Sequence, residues 1–243
     1  MAHYSIIIKG GMVIDGKGAA MRPADIGIEL DKIRAIGDLS QSWADLVIDA
    51  SGKYAMPGFI DITNHSDTHW TLFASPLQES LLTQGVTTIL GGNCGISLAP
   101  LARAKAIEGI QKWADVSQIN VNWQTMGEFF AEAEKKSFGV NFATLVGYGT
   151  LRRGILGDDS RPASYEEIQK IRYLLEEALK QGAFGVSTSL GSSHEKFSGE
   201  EEIAEIFKIA KEHGAVTKHH LADEGKNLLP ALSRLLSFIR LSG

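Results

Sequence analysis

The chain has 243 residues, of which 44% are hydrophobic and 22% charged, and its formal net charge is -5. This composition is that of a globular protein with a sizeable core, and it lacks the basic patches that bind nucleic acid. No apolar run approaches the roughly 20 residues that a membrane helix needs. The chain start shows no signal-peptide pattern and Cys94 is the single cysteine, so we expect a cytoplasmic protein without intrachain disulfides.

The first part of the chain is rich in short β-strand patterns. Segments such as YSIIIKG and GMVIDG are rich in isoleucine and valine, and they flank Gly10-Gly11, which is a hairpin-type turn signal. Three further segments of this kind, ADIGIEL, KIRAIGDL and DLVIDASG, follow before residue 56. We therefore predict a small β-sandwich-like module over residues 1–56.

Residues 57–243 alternate between apolar strand patterns and helices. The strand patterns are GFIDI, GVTTILGGN, NFATLVGYG, GAFGVSTSL and GAVTKHHLA. Serines that stand three residues before Gln or Glu predict helix starts at Ser75, Ser164 and Ser198, and a last helix is expected over residues 227–241. This order predicts an α/β fold with a parallel sheet, either an open sheet or a partial (β/α)8 TIM-type barrel of about five βα units.

Polar side chains follow each predicted strand, where parallel α/β folds place their chemistry. His65 and Asp67 follow the first strand, Cys94 the second, and His220 the fifth. Each residue alone also fits a structural role. A thiolate, imidazoles and carboxylates at one rim would nevertheless suit Zn²⁺, which accepts sulfur, nitrogen and oxygen ligands.

Several motifs together resemble one family. MPGFIDITNHSD, QGVTTILGGNCGISLAPL, LVGYGTLR, GAFGVSTSL and HHLADEG are similar to segments of the N-acyl-D-amino-acid deacylase (D-aminoacylase) branch of the metal-dependent amidohydrolase superfamily. The resemblance covers essentially the whole chain. It implies a small β-sandwich combined with a metal-bearing (β/α)8 barrel, and a zinc-dependent hydrolase that acts on non-peptide amide bonds of small N-acylated amino acids or related amides.

The resemblance also implies roles for particular residues. Cys94 matches the family's metal-ligand cysteine, His220 matches a metal-ligand histidine after the fifth strand, and His65 matches the second histidine of a His-x-His pair. Thr63 stands where the family has the first histidine of that pair, so a second metal position built on the pair is not expected. Tyr148 stands where the family often has a histidine.

The family's catalytic aspartate and its next histidine ligand would follow Gly243. Within the chain, Asp67, Asp223 and Glu224 are the remaining acidic candidates at the rim, and orienting the histidines is the role that we favour for them. We expect a partial chain that is weakly active or inactive alone. The alternatives are a non-catalytic remnant that serves as a binding or assembly module, and one half of a split enzyme completed by a C-terminal half; homo-oligomerisation is a further expectation.

Overall fold

The first five strands form one mixed sheet in the computed structural model, which describes residues 2–242. Antiparallel pairs join the first strand to the second and the second to the third, whereas the fourth and fifth strands run parallel to the first. The strands are β1 (His3–Val13), β2 (Arg22–Glu29), β3 (Lys32–Gly37), β4 (Trp43–Asp49) and β5 (Tyr54–Ala55). They belong to a compact unit that spans Met1–Gly58.

The hairpin predicted at Gly10-Gly11 is wrong, because β1 continues through both glycines. The pairing of β1 with β2 shifts between Ile8 and Gly11, which marks a β-bulge. Gly10 has a φ of +74° there, and its amide donates to the Asp25 carboxylate over 2.8 Å. Since β2 and β4 hold β1 from both sides, the glycines bend the strand without ending it.

Strand β4 leaves apolar side chains in solvent. Leu46, Val47 and Ile48 are 52%, 55% and 44% exposed. In the strand order β3-β2-β1-β4, this strand lies at an edge. Exposed apolar edge strands promote pairing with other chains.

The remaining five strands form a parallel sheet in the compact unit Phe59–Gly243. Their spatial order follows their order in the chain, and every neighbouring pair is parallel. The strands are β6 (Phe59–Asp61), β7 (Val86–Gly91), β8 (Asn141–Gly147), β9 (Gly185–Ser189) and β10 (Val216–His220). The predicted fold class, a small β module followed by a partial βα barrel, is therefore confirmed.

Helices follow the strands of this second sheet. They are α1 (Thr71–Ala74), α2 (Glu79–Leu82), α3 (Met126–Glu134), α4 (Tyr148–Leu156), α5 (Tyr165–Lys180), α6 (Glu200–Glu212) and α7 (Leu228–Leu241), with 3₁₀ turns at Ala104–Ile110 and Val116–Gln118. Buried side chains from the sheet and the helices, such as Val146, Leu175 and Ile206, belong to one apolar core. No helix in the described part of the chain is both long and apolar enough to cross a membrane.

The predicted helix starts have mixed outcomes. The start at Ser164 is confirmed, since its hydroxyl accepts from the Glu167 amide and the Glu167 carboxylate accepts from the Ser164 amide. The start at Ser75 is wrong, because α2 begins only after Gln78. The buried Gln78 amide group instead donates to the carbonyls of Ser75 and Thr71.

The start at Ser198 is also wrong by one residue. Gly199 is the N-cap of α6 and makes no side-chain cap. The Ser198 hydroxyl instead lies 2.7 Å from the Tyr148 hydroxyl and is hydrogen-bonded to it. The Ser198 hydroxyl therefore bonds to a side chain 50 residues away instead of capping α6.

Candidate active site

A tight turn after β7 presents Cys94. This residue has a φ of +55°, and Gly92 before it also lies in the left-handed region. Any Cβ on Gly92 would lie 2.0 Å from the Leu145 carbonyl oxygen, so only glycine fits there. The buried Asn93 side chain donates to the Asn64 carbonyl over 2.8 Å, which ties this turn to the segment after β6. The thiol is therefore held in place by its own loop.

Two histidines approach this thiol from other strands. The Cys94 Sγ atom lies 3.5 Å from His220 Nδ1 at the end of β10 and 3.9 Å from His65 Nε2 after β6. The structure thus brings together the three residues that the sequence proposes as metal ligands. They come from the second strand of the sheet and from both of its edges, so the carboxyl ends of the strands converge.

The donor set fits a zinc ion, although it is not a preformed three-ligand cage. Tetrahedral zinc with ordinary bond lengths separates a sulfur ligand from a nitrogen ligand by roughly 3.6 Å. The Cys94–His220 distance matches this separation, and the His65 distance is slightly longer. Across residues 2–242, no group of three or more histidine, cysteine, aspartate or glutamate side chains is arranged to hold a metal ion. The cysteine–histidine pair is therefore the centre of the candidate site, and His65 must move towards it to ligate.

The two adjacent histidines of β10 point in different directions, as alternation along a strand requires. His220 is turned towards Cys94, and its other ring nitrogen, Nε2, lies 3.7 Å from the Glu224 carboxylate. His219 Nδ1 instead lies 2.9 Å from the Thr188 hydroxyl, and its ring packs on Phe207. Burial lowers the pKa of His219 to about 4, so it is a neutral structural residue.

The surroundings of Cys94 keep its thiol protonated in the absence of a metal. Burial raises the pKa of this thiol, and the carboxylates of Glu195, Glu224 and Asp67 raise it further. Lys218 acts in the opposite direction. A metal would have to displace the proton, because the thiolate is the form that ligates.

Thr63 is hydrogen-bonded to Lys218 of β10. Its hydroxyl lies 2.7 Å from the Lys218 ammonium, which also donates to the Ile62 carbonyl. These bonds join the segment after β6 to β10, so the two edge strands of the sheet approach each other. Sequence reasoning did not identify Lys218, because nothing local to its position signals a partner 155 residues away.

The acidic candidates have mostly structural roles. Asp67 is buried, and its two carboxylate oxygens accept from the amides of Thr68 and Gly92 over 2.7 and 2.6 Å. Asp223 accepts from the Gly225 amide over 2.7 Å and holds the loop before α7. Glu224 contacts a candidate ligand, since its carboxylate lies 3.7 Å from His220 Nε2.

A cavity of about 680 Å³ opens beside the cysteine–histidine pair. Its lining includes the candidate ligands Cys94, His65 and His220, the cationic side chains Lys112 and Arg153, and the apolar side chains Ile96, Ala106 and Trp113. A larger groove of about 760 Å³ lies along α5, but its lining contains neither cysteine nor histidine. The smaller cavity is therefore the candidate substrate site.

Glu195 lines the same cavity and was missed by the sequence reasoning. Its side chain is only 2% exposed, and it accepts from the Ser189 amide over 2.6 Å and from the Gly149 amide. Burial raises the pKa of this carboxyl to about 8. Any Cβ on Gly95 would lie 1.8 Å from its Oε1 atom, so the carboxyl presses against the turn that carries Cys94.

Tyr148 does not face the rim, contrary to its place in the sequence pattern. It begins α4 and is fully buried. Its hydroxyl donates to the Glu202 carboxylate and is hydrogen-bonded to the Ser198 hydroxyl. Arg152 completes this buried network through a bond of 2.9 Å from its Nε atom to Glu202. The network joins α4 to α6 and is structural.

Comparisons with known proteins identify the family that the chain resembles over nearly its whole length. No protein-family model matches the chain. D-aminoacylase of Alcaligenes xylosoxydans xylosoxydans is 36% identical over 229 residues, which are 94% of this chain and 46% of that protein. A solved D-aminoacylase, described for its binuclear metal center, is 36% identical with a TM-score of 0.87 and matches 98% of this chain and 50% of its own. N-acyl-D-glutamate deacylase from Bordetella bronchiseptica, solved with zinc and a phosphonate inhibitor, is 30% identical with a TM-score of 0.89 and matches 100% of this chain and 50% of its own.

The solved D-aminoacylase defines a subset of the amidohydrolases. The similarity to it, together with the parallel βα sheet that carries a cysteine and histidines at its carboxyl ends, identifies an amidohydrolase-type chain. The chain spans about half the length of the curated relatives that it matches. It belongs to the N-acyl-D-amino-acid deacylase branch of the amidohydrolases.

Proposed function

We propose that this chain carries the metal-binding part of a zinc-dependent hydrolase that cleaves the amide bond of N-acylated D-amino acids. The observation that carries the proposal is the contact of 3.5 Å between Cys94 and His220 at the carboxyl ends of two strands. Two relatives support the substrate class, namely a D-aminoacylase and a deacylase solved with zinc and a mimic of its tetrahedral intermediate.

Cys94 and His220 would hold the zinc ion, with His65 as the third protein ligand. When bound, zinc would supply a Lewis acid for the amide carbonyl and would lower the pKa of a water molecule to about 7. Glu224, at 3.7 Å from His220 Nε2, would orient the imidazole so that Nδ1 faces the metal. The positive φ of Cys94 fixes the direction of the thiolate.

The cavity lining supports an anionic substrate with an apolar portion. Arg153 is paired with the Asp158 carboxylate over 2.9 Å, which leaves Lys112 as the more accessible cation for a substrate carboxylate. Ile96, Ala106 and Trp113 would contact an acyl chain or an amino-acid side chain. A cytoplasmic location would keep Cys94 reduced.

We further propose that the 243-residue chain turns over slowly or not at all by itself. Asp67 and Asp223 accept hydrogen bonds from backbone amides, and Glu224 lies against His220, so none of these three acids stands free as a general base. Glu195 in the cavity lining is likewise held by the amides of Ser189 and Gly149. Lack of a general base lowers rates by about 10²–10⁴-fold.

Metal analysis of purified variants tests the proposal. We expect Cys94→Ala and His220→Ala to lose zinc relative to the parent, and His213→Ala, an exposed histidine after α6, to retain it. Equal zinc content in all four proteins would refute the metal site. Hydrolysis of N-acetyl-D-amino acids with added zinc is measured in parallel. Turnover that disappears in His220→Ala would support the hydrolase and overturn the expectation of inactivity.

A further inference from the structure

The lysine that contacts Thr63 places a positive charge near the candidate metal ligands. Lys218 and His220 are two residues apart on β10, so their side chains leave the same face of the strand. Lys218 extends to the opposite edge of the sheet and donates to the Thr63 hydroxyl over 2.7 Å and to the Ile62 carbonyl. It is thereby anchored at the segment that also carries His65.

This ammonium acts electrostatically on the candidate metal ligand. Lys218 lies close enough to Cys94 and to Asp61, the last residue of β6, to interact electrostatically with both side chains. An ammonium group has three N–H donors and no lone pair, so it cannot ligate a metal. It does supply the charge that a cation at this place would supply.

A second metal ion on the Thr63 side would meet two obstacles. The hydroxyl of Thr63 is a poor ligand for zinc compared with an imidazole. The Lys218 ammonium lies 2.7 Å from the Thr63 hydroxyl. At the dielectric constant of water, an ammonium roughly 6 Å from a divalent ion lowers the binding constant of that ion about tenfold. The donor set therefore fits one metal at Cys94 and His220 and does not fit a second at Thr63.

We propose that the Lys218 ammonium replaces a second metal ion, so that the site holds one metal and excludes another. The inference rests on the proposed metal site at Cys94 and His220. It separates this chain from the solved D-aminoacylase that was described for its binuclear metal center.

A cobalt titration of the whole chain tests this inference, with calorimetry to count bound ions and thiolate-to-cobalt absorbance to monitor the Cys94 position. The parent should bind one equivalent, and so should Lys208→Met, a control that removes an exposed lysine on α6 outside the site. Thr63→His offers an imidazole but keeps the ammonium, whereas Thr63→His combined with Lys218→Met removes the charge. We expect the double variant to bind a second ion at least about tenfold more tightly than Thr63→His alone.

The outcomes separate the two proposals. Two equivalents in the parent, or equal second-ion affinity in the single and double variants, would overturn the role of Lys218 and leave the proposed function intact. No bound cobalt in the parent would overturn both. The thiolate absorbance in each variant shows whether the first position has survived the substitution.

Discussion

The parent chain should become less stable as the pH rises, and replacing Glu195 with glutamine should abolish this dependence. The carboxyl is buried beside the Cys94 turn and accepts from the amides of Ser189 and Gly149. Glutamine keeps the volume of the side chain and one carbonyl acceptor, but it cannot ionise. The substitution therefore isolates the effect of the charge from the effect of packing.

The direction and size of the effect follow from the pKa. In the unfolded chain this carboxyl ionises near its ordinary pKa of 4.5, whereas in the folded chain burial raises the pKa to about 8. Between these values the unfolded state has lost a proton that the folded state retains, so raising the pH favours unfolding. The gap from 4.5 to about 8 corresponds to on the order of 5 kcal/mol in the free energy of unfolding.

Urea denaturation of the metal-free protein at intervals between pH 5 and pH 8 measures the effect. The parent should lose several kcal/mol over this range relative to Glu195→Gln, while the two proteins should differ least near pH 5. Glu134→Gln makes the same chemical change at an exposed glutamate. It serves as the control, and its stability should follow that of the parent. Parallel curves for the parent and Glu195→Gln between pH 5 and pH 8 would refute the assignment of a raised pKa to this group.

Three further predictions concern the buried network, the second histidine and the exposed strand. Arg152→Met leaves the Glu202 carboxylate buried without its cation, so we expect the free energy of unfolding in urea to fall by about 3–5 kcal/mol. A loss below about 1 kcal/mol would contradict the importance of this ion pair. Burial lowers the pKa of His219 from 6.5 to about 4, so the stability of the parent should fall by about 3 kcal/mol as the pH drops through this range. His219→Gln should lack that fall, and the same acid sensitivity in both proteins would disprove the prediction. The apolar side chains exposed on β4 should cause concentration-dependent sedimentation, whereas an unchanged monomer at every concentration would count against association.

The sequence by itself determined the elements of the second sheet. Continuous apolar segments separated by helical periodicity placed β6 to β10 in order, and the reciprocal bonding of Ser164 and Glu167 placed the start of α5. It also put Cys94, His65 and His220 at strand ends, because strand ends are visible wherever an apolar run meets polar residues. These features depend on residues that are close together in the chain, so local sequence patterns are enough to predict them.

Only the tertiary structure decided which groups meet. Gly10-Gly11 could have been a hairpin, but partners on both sides of β1 keep the strand running. The contact of Lys218 with Thr63 and the burial of Glu195 bring together residues from different strands and loops. The physical reason is that charge, burial and hydrogen bonding at a site depend on groups far apart in the chain, and only the packed sheet sets their distances.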